Sequence, residues 1–376
     1  MARRYALENN ITKVNGLGQS IWYDNISKEM ILSGDMKRLI DIGVSGLTSN
    51  PTIFFKAITG SESYDEQLNK LASQGLDVEA IYEELVLDDI RAVADLLKPT
   101  YDKTNGADGY VSLEVNPNLA HETNKTIEEA TRLFEIVNKK NLMIKVPATP
   151  SGIPAIRTLI GKGINVNVTL IFSLQAYSQV RQAYLSGLKD FELMGGDLST
   201  VASVASFFVS RVDTLVDKKL SQNKQTDSNG IKNLLGKAAI TNARLAYNDF
   251  KNDFYSEKFI EYKQKKARVQ RPLWASTGTK NPEYSDVLYP NSLIGNDTVN
   301  TMPDDTLESF LDHGWVTNSL DEDRTQLEKY FNQLNSYGIK IDDITKELLE
   351  DGVKQFVDSY NELIRAIEAK CLQITL

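Results

Sequence analysis

Eight short, β-rich apolar segments alternate with longer stretches of helical period along this chain, and no other feature of the sequence restricts the fold as strongly. The segments are "SIWYD" (20–24), "GVSGLTS" (43–49), "GYVSLEV" (109–115), "LMIKVPA" (142–148), "INVNVTLIF" (164–172), "TVASVASFF" (200–208), "PLWAST" (272–277) and "DTVNTM" (297–302). Helical spacing runs from Asp77 through Ile81, Leu85, Ile90, Val93 and Leu96, and further helices fit 118–139, 152–161, 174–187, 207–220, 230–252, 304–312, 321–335 and 341–372. Ser63 and Glu66 have the spacing of a capping box. Strands alternating with helices imply a parallel sheet. Eight such units imply an α/β fold of the closed (β/α)8 TIM-barrel type, with extra helices and a long C-terminal helix, 341–372, packed on the barrel. The polar patch "SQNKQTDSNG" (221–230) falls within one strand-to-strand connection and reads as a surface loop, so residues 1–376 are expected to form a single domain.

Charge and residue usage exclude several kinds of partner. A net charge of −9 leaves no basic face for a phosphate backbone, so no nucleic acid is expected. No apolar run approaches the ~20 residues that span a bilayer, and "MARRYALENNITKVNG" has no apolar leader core. The single cysteine, Cys371, can form no internal disulfide. A cytoplasmic protein is expected. His121 and His313 lie far apart in helical surroundings, which makes a metal site unexpected, and neither a GxGxxG turn nor a P-loop suggests a nucleotide cofactor.

The segment "NLMIKVPATP" (141–150) puts Lys145 inside an apolar strand. In a barrel of this kind the active site lies at the carboxyl ends of the strands, where polar residues have functional reasons to be. A lysine buried there is disfavoured as an ammonium, and a neutral amine forms Schiff bases with carbonyl substrates. The alternative is a strand-end lysine that snorkels to water. Other strand ends carry polar groups too: Asp24, Asn50, Glu114, Asn167, Thr169 and Ser206. Asp24 has the bland alternative of a helix cap, Asn50 of a turn residue, and Ser206 of core filler. Six of them converging on one rim with a lysine favours a site.

"GVSGLTSNPTIF", "NLMIKVPAT" and "GINVNVTLIFS", together with "SFFVSR" and "LWASTGTKNP", resemble the signature segments of the transaldolase family, in its longer bacterial branch. The likeness extends from about Gly18 to the final helix. It implies transfer of a dihydroxyacetone unit between sugar phosphates in the pentose phosphate pathway, from sedoheptulose 7-phosphate to glyceraldehyde 3-phosphate, giving erythrose 4-phosphate and fructose 6-phosphate. A related branch of fructose 6-phosphate aldolases shares the lysine strand, so simple aldol cleavage is the competing activity. The resemblance implies no cofactor. It assigns Lys145 the imine with the ketose, Asp24 the proton of the C4 hydroxyl, and Glu114 with Thr169 a water that serves imine formation. Asn50, Asn167 and Ser206 would hold the dihydroxyacetone hydroxyls, and Phe208 would wall the pocket.

For the substrate phosphate, Arg211 follows the sixth strand, and Ser276, Thr277 and Gly278 leave the seventh toward an expected helix whose free amides would bind an anion. The shorter family pattern has an arginine where this chain has Gly278, and Lys280 is expected to take over its role; a solvated loop lysine is the alternative. The final helix carries apolar residues at helical spacing, and the resemblance brings its end near the active-site mouth. Sugar phosphates are the expected partners, and the chain is expected to be a monomer or homodimer.

Overall fold

The computed structural model describes residues 9–223 and 228–374; the centre of the polar patch, 224–227, lies outside the described residues. Eight strands form a closed, all-parallel barrel in chain order, with the first pairing to the last. They are β1 (Gln19–Tyr23), β2 (Gly46–Thr48), β3 (Val111–Glu114), β4 (Leu142–Pro147), β5 (Val166–Ile171), β6 (Ser203–Phe208), β7 (Arg271–Ala275) and β8 (Thr298–Met302). Each lies inside or within a residue of its expected segment. The sequence segments run longer at several ends, because apolar residues continue into the turns after pairing stops.

Register aligns the polar positions. Lys145 on β4 stands level with Glu114 on β3 and Asn167 on β5. Successive strand residues face opposite ways, so Ile144 and Val146 turn to the surrounding helices and Lys145 to the barrel interior. A bulge between Val168 and Ile171 interrupts β5, with Leu170 at a left-handed φ of 57°. Ser276, just past β7, is left-handed too, at 56°. Such backbone costs on the order of 1–3 kcal/mol per non-glycine residue. Both strained residues sit at the same end of the barrel.

Several helices differ from expectation. Ser61, not Ser63, caps the turn before the helix Asp65–Ser73: its hydroxyl accepts from Ser63 N at 3.1 Å, so Ser63 is already inside a 3-10 turn and makes no capping box with Glu66. The helix after β6 starts at Ser210, because 206–208 stay paired in the sheet. The stretch expected as 230–252 breaks into Ser228–Leu234 and Ala238–Phe254 at Gly236, which is left-handed at 69° and donates to Asp217. No helix follows β7 directly; residues 276–287 form a loop before the short helix Leu288–Ser292. By contrast Asp77 caps Val78–Lys103 through Ala80 N at 2.8 Å.

The C-terminal helix, Ile341–Ile374, crosses the carboxyl end of the barrel. Its middle reaches the mouth, not its end as the resemblance implies: Ser359 pairs with Thr52 at 2.9 Å and Phe356 lines the mouth, whereas Lys370 bonds Asp65 on an outer helix. Gly352 permits this approach, since a Cβ there would lie 3.0 Å from Leu170 of the β5 bulge.

Candidate active site

A cavity of about 530 Å³ opens at the carboxyl ends of the strands. Lys145, Asp24, Thr169, Asn50, Ser206, Phe208, Arg211, Ser276 and Lys280 line it; Glu114 and Asn167 do not.

The Lys145 side chain is 6% exposed. Its Nζ donates to Ser49 O at 2.7 Å and lies 3.5 Å from Glu114 Oε2, with the Phe356 ring 5.9 Å away. The amine is therefore anchored by one neutral acceptor and one long ionic contact, and does not snorkel. Asp24 follows β1 and accepts from the Thr48 hydroxyl at 2.6 Å. It caps no helix, because Ser27 caps the next one. Burial raises the Asp24 pKa above the usual carboxylate value, while Thr48, Lys145, Arg211 and Lys280 pull against that rise. Burial likewise pushes Glu114 up to about 7, against the opposing charge of Lys145. Two carboxyls are thus tuned toward neutrality around one lysine, the arrangement that acid-base chemistry near neutral pH requires.

Thr169 adds an unsatisfied group: its hydroxyl is buried with no hydrogen-bond partner among the described residues. Its register opposite Pro147 puts it one pleat beyond Lys145 on the same interior side. Such an orphan suits a site that takes water or substrate. Asn50 is not a turn residue but the cap of the helix Pro51–Gly60, accepting from Ile53 N at 3.0 Å, and its amide NH2 remains for the cavity it lines. Asn167 lies fully buried below the floor, donating to Ser112 Oγ at 3.0 Å and accepting from Ser206 Oγ at 2.6 Å. With its proton committed downward, the Ser206 hydroxyl offers the mouth lone pairs. Phe208 packs on Phe172 with ring centroids 5.1 Å apart and lies under the Arg211 guanidinium at 5.3 Å.

Arg211 and Lys280 bring two cations to one side of the mouth. Arg211 Nη1 donates to Gln355 of the C-terminal helix at 3.0 Å. Ser276 Oγ lies 2.9 Å from Ser210 Oγ. A Cβ at Gly278 would stand 3.9 Å from Lys280 Nζ and 3.1 Å from the Thr306 hydroxyl, so the missing side chain at 278 leaves the space into which Lys280 folds back.

Sequence reasoning missed Thr48, Lys56, Gln355 and Phe356. Thr48 was visible within "LTSNP", but its bond to Asp24 needs the β1–β2 pairing. Lys56 lines the mouth from the helix after Asn50, and nothing in its local sequence distinguishes it from a surface lysine. Gln355 and Phe356 come from a helix more than 140 residues beyond Arg211 and carry no local signal. His121 is exposed, and His313 pairs at the surface with Asp286 and Asp312. Among the described residues no three His, Cys, Asp or Glu side chains gather to hold a metal ion, and no helix is long and apolar enough to cross a membrane.

The family described as transaldolase/fructose-6-phosphate aldolase matches this chain over residues 21–367. A protein of Mycolicibacterium smegmatis named transaldolase is 45% identical over 363 residues, covering 96% of this chain and 97% of that protein. The transaldolase of Mycobacterium tuberculosis strain H37Rv is 44% identical over 363 residues, 96% of each chain. That of Mycobacterium marinum is 43% identical over 364 residues, covering 96% of this chain and 97% of its own.

Proposed function

The chain belongs to the transaldolase/fructose-6-phosphate aldolase family, has the activity of a transaldolase, and, we propose, runs that reaction through an imine on Lys145 in the barrel mouth. The overall transfer moves a dihydroxyacetone unit between sugar phosphates of the pentose phosphate pathway, sedoheptulose 7-phosphate and glyceraldehyde 3-phosphate giving erythrose 4-phosphate and fructose 6-phosphate. The observation that carries the mechanism is a buried lysine amine flanked by two carboxyls that burial has raised, beside an unsatisfied threonine hydroxyl.

The Lys145 amine attacks C2 of the ketose, and the carbonyl oxygen leaves as water with a proton from Glu114. Thr169 holds that water. Asp24 then takes the C4 hydroxyl proton as the C3–C4 bond breaks, the electron pair passing into the imine, and it returns the proton when C3 adds to the acceptor aldehyde. Ser206 and Asn50 hold the hydroxyls of the retained three-carbon unit, and Asn167 acts by fixing the Ser206 proton. Phe208 walls the pocket. No cofactor enters this sequence of steps. The chain works as one barrel domain, in the cytoplasm, as a monomer or homodimer.

Aldol cleavage without transfer differs only in the fate of the imine. With fructose 6-phosphate and erythrose 4-phosphate together, sedoheptulose 7-phosphate should form much faster than fructose 6-phosphate alone releases free dihydroxyacetone. Release at a rate equal to transfer would make the enzyme an aldolase.

Arg211, Lys280 and the Ser276 turn bind the substrate phosphate. An arginine can grip phosphate with two parallel hydrogen bonds where a lysine is a point charge, so Arg211→Ala should cost more than Lys280→Ala. Charged hydrogen bonds contribute on the order of 1.5–3 kcal/mol, so each substitution should lower kcat/KM for fructose 6-phosphate by roughly ten- to a hundredfold. Against unphosphorylated fructose both variants should lose far less, since there the cations act only through the charge of Asp24. Equal losses on the two sugars would move the phosphate site elsewhere.

A further inference from the structure

A second cavity, of about 230 Å³, is walled in part by Leu113, Glu114 and Val115 at the end of β3. Glu114 lines it, whereas Lys145 and Thr169 line only the mouth. Glu114 thus meets both the lysine and the second cavity: its Oε2 lies 3.5 Å from Lys145 Nζ, and with its strand neighbours Leu113 and Val115 it forms part of the cavity wall.

The second cavity is roofed by Tyr82 and by Tyr360 of the C-terminal helix, stacked edge to face at 5.5 Å. Leu133 lines it from the side, and its surface rim is ionic: Arg132 is forked onto Glu83 and also holds Glu129. One water needs only about 10–15 Å³ of cavity, so this one has room for several. Its lining is apolar near the barrel, from Leu113, Val115 and Leu133, and charged toward the surface, from Glu79, Glu83, Glu129 and Arg132.

We propose that this cavity is a water and proton port serving Glu114, separate from the entrance used by the sugar. The proposal rests on the reading above that Glu114 serves imine formation and hydrolysis. Imine formation breaks the C2–O bond of the carbinolamine and forms C2=N; one proton passes from Glu114 to the departing hydroxyl, and one water leaves. Hydrolysis reverses this: water adds to C2, its proton returns to Glu114, and the C–N bond breaks to restore the amine. While a sugar phosphate fills the mouth beneath Phe356 and Gln355, water and the Glu114 proton exchange with solvent through the second cavity. The port thereby sets how often the dihydroxyacetone imine is hydrolysed before an acceptor captures it.

Filling and opening the port should act in opposite directions. Leu133→Trp fills it and should lower, several-fold, the release of free dihydroxyacetone from fructose 6-phosphate without acceptor, and slow the build-up of borohydride-trappable imine, at unchanged KM. Tyr82→Ala opens the roof and should raise that release several-fold relative to transfer, again at unchanged KM. Tyr82 also braces Tyr360 of the helix that covers the mouth, so a loosened mouth is the competing cause of higher release; it would raise KM for fructose 6-phosphate, whereas an opened port leaves KM unchanged. The proposal is overturned if the ratio of release to transfer stays unchanged in both variants, moves the same way in both, or is replaced by a change in KM. If Leu133→Trp does not fold, Tyr82→Ala decides alone, and unchanged or lower release overturns the port. A parent enzyme with no trappable imine on Lys145 would instead overturn the underlying mechanism.

Discussion

Lys145→Ala should abolish transfer, a loss on the order of 10⁶-fold, the scale seen when other covalent nucleophiles are removed. Borohydride added with fructose 6-phosphate should lock the parent enzyme as a secondary amine, and peptide mapping should place the adduct on Lys145 alone. The expectation follows from geometry: of the three lysines that line the mouth, only Lys145 is buried within a strand, held by Ser49 O and facing Glu114. Lys56 and Lys280 are exposed. Lys145→Arg should be as inactive as the alanine variant although it keeps the charge, because a guanidinium stays protonated and cannot form the imine. An adduct on Lys56 or Lys280, or none, would end the mechanism.

Asp24→Asn should slow turnover by about 10²- to 10⁴-fold, the usual worth of a positioned acid-base group, yet remain fully trappable by borohydride. Its place explains the separation: Asp24 lines the mouth at the end of β1, held by Thr48 on β2, whereas Glu114 reaches Lys145 from β3, so Asp24 can meet the C4 hydroxyl without entering imine formation. Stability supplies an independent check. The folded-state pKa of Asp24 is raised, so the native protein binds this proton more tightly than the unfolded chain, and stability falls as pH rises through the interval between the two values. Above the unfolded-state value that penalty weighs on the parent and is absent from the amide. Asp24→Asn should therefore have a Tm equal to or above that of the parent in neutral buffer, an advantage that fades in acid. A variant that lost both trapping and Tm would show Asp24 to be structural, and a variant that kept its fold but lost trapping would move Asp24 into imine chemistry.

Much of this site is legible in the linear sequence, for a definite reason. Strand-end residues such as Lys145, Thr169 and Ser206 reveal themselves as polar groups in apolar runs, because a barrel strand has only two faces and one of them must be apolar. The two cations at the mouth, Arg211 and Lys280, follow from their distance past a strand end. The loop after β7 is the counterexample: "STGTKNP" suggests a helix start, but Ser276 turns left-handed and no helix forms until Leu288. Asn167 shows another limit. Its position on β5 is readable, but its bonds to Ser112 and Ser206, which take it out of the mouth, belong to three strands at once.

Residue order alone is enough for the alternation of eight strands and helices, hence for the barrel, and for a lysine set within an apolar strand at the end of the barrel where the cavity opens. These are consequences of periodicity, which is local and survives in a linear string. Which groups act on one another is a matter for the closed barrel. Closure raised Asp24 and Glu114 by burying them, tied Asp24 to Thr48, and laid the middle of the C-terminal helix across the mouth so that Gln355 holds Arg211. It also left a second cavity walled in part by Glu114. Burial, charge coupling and cavities depend on distances between residues far apart in the chain, and those distances exist only once the barrel has closed.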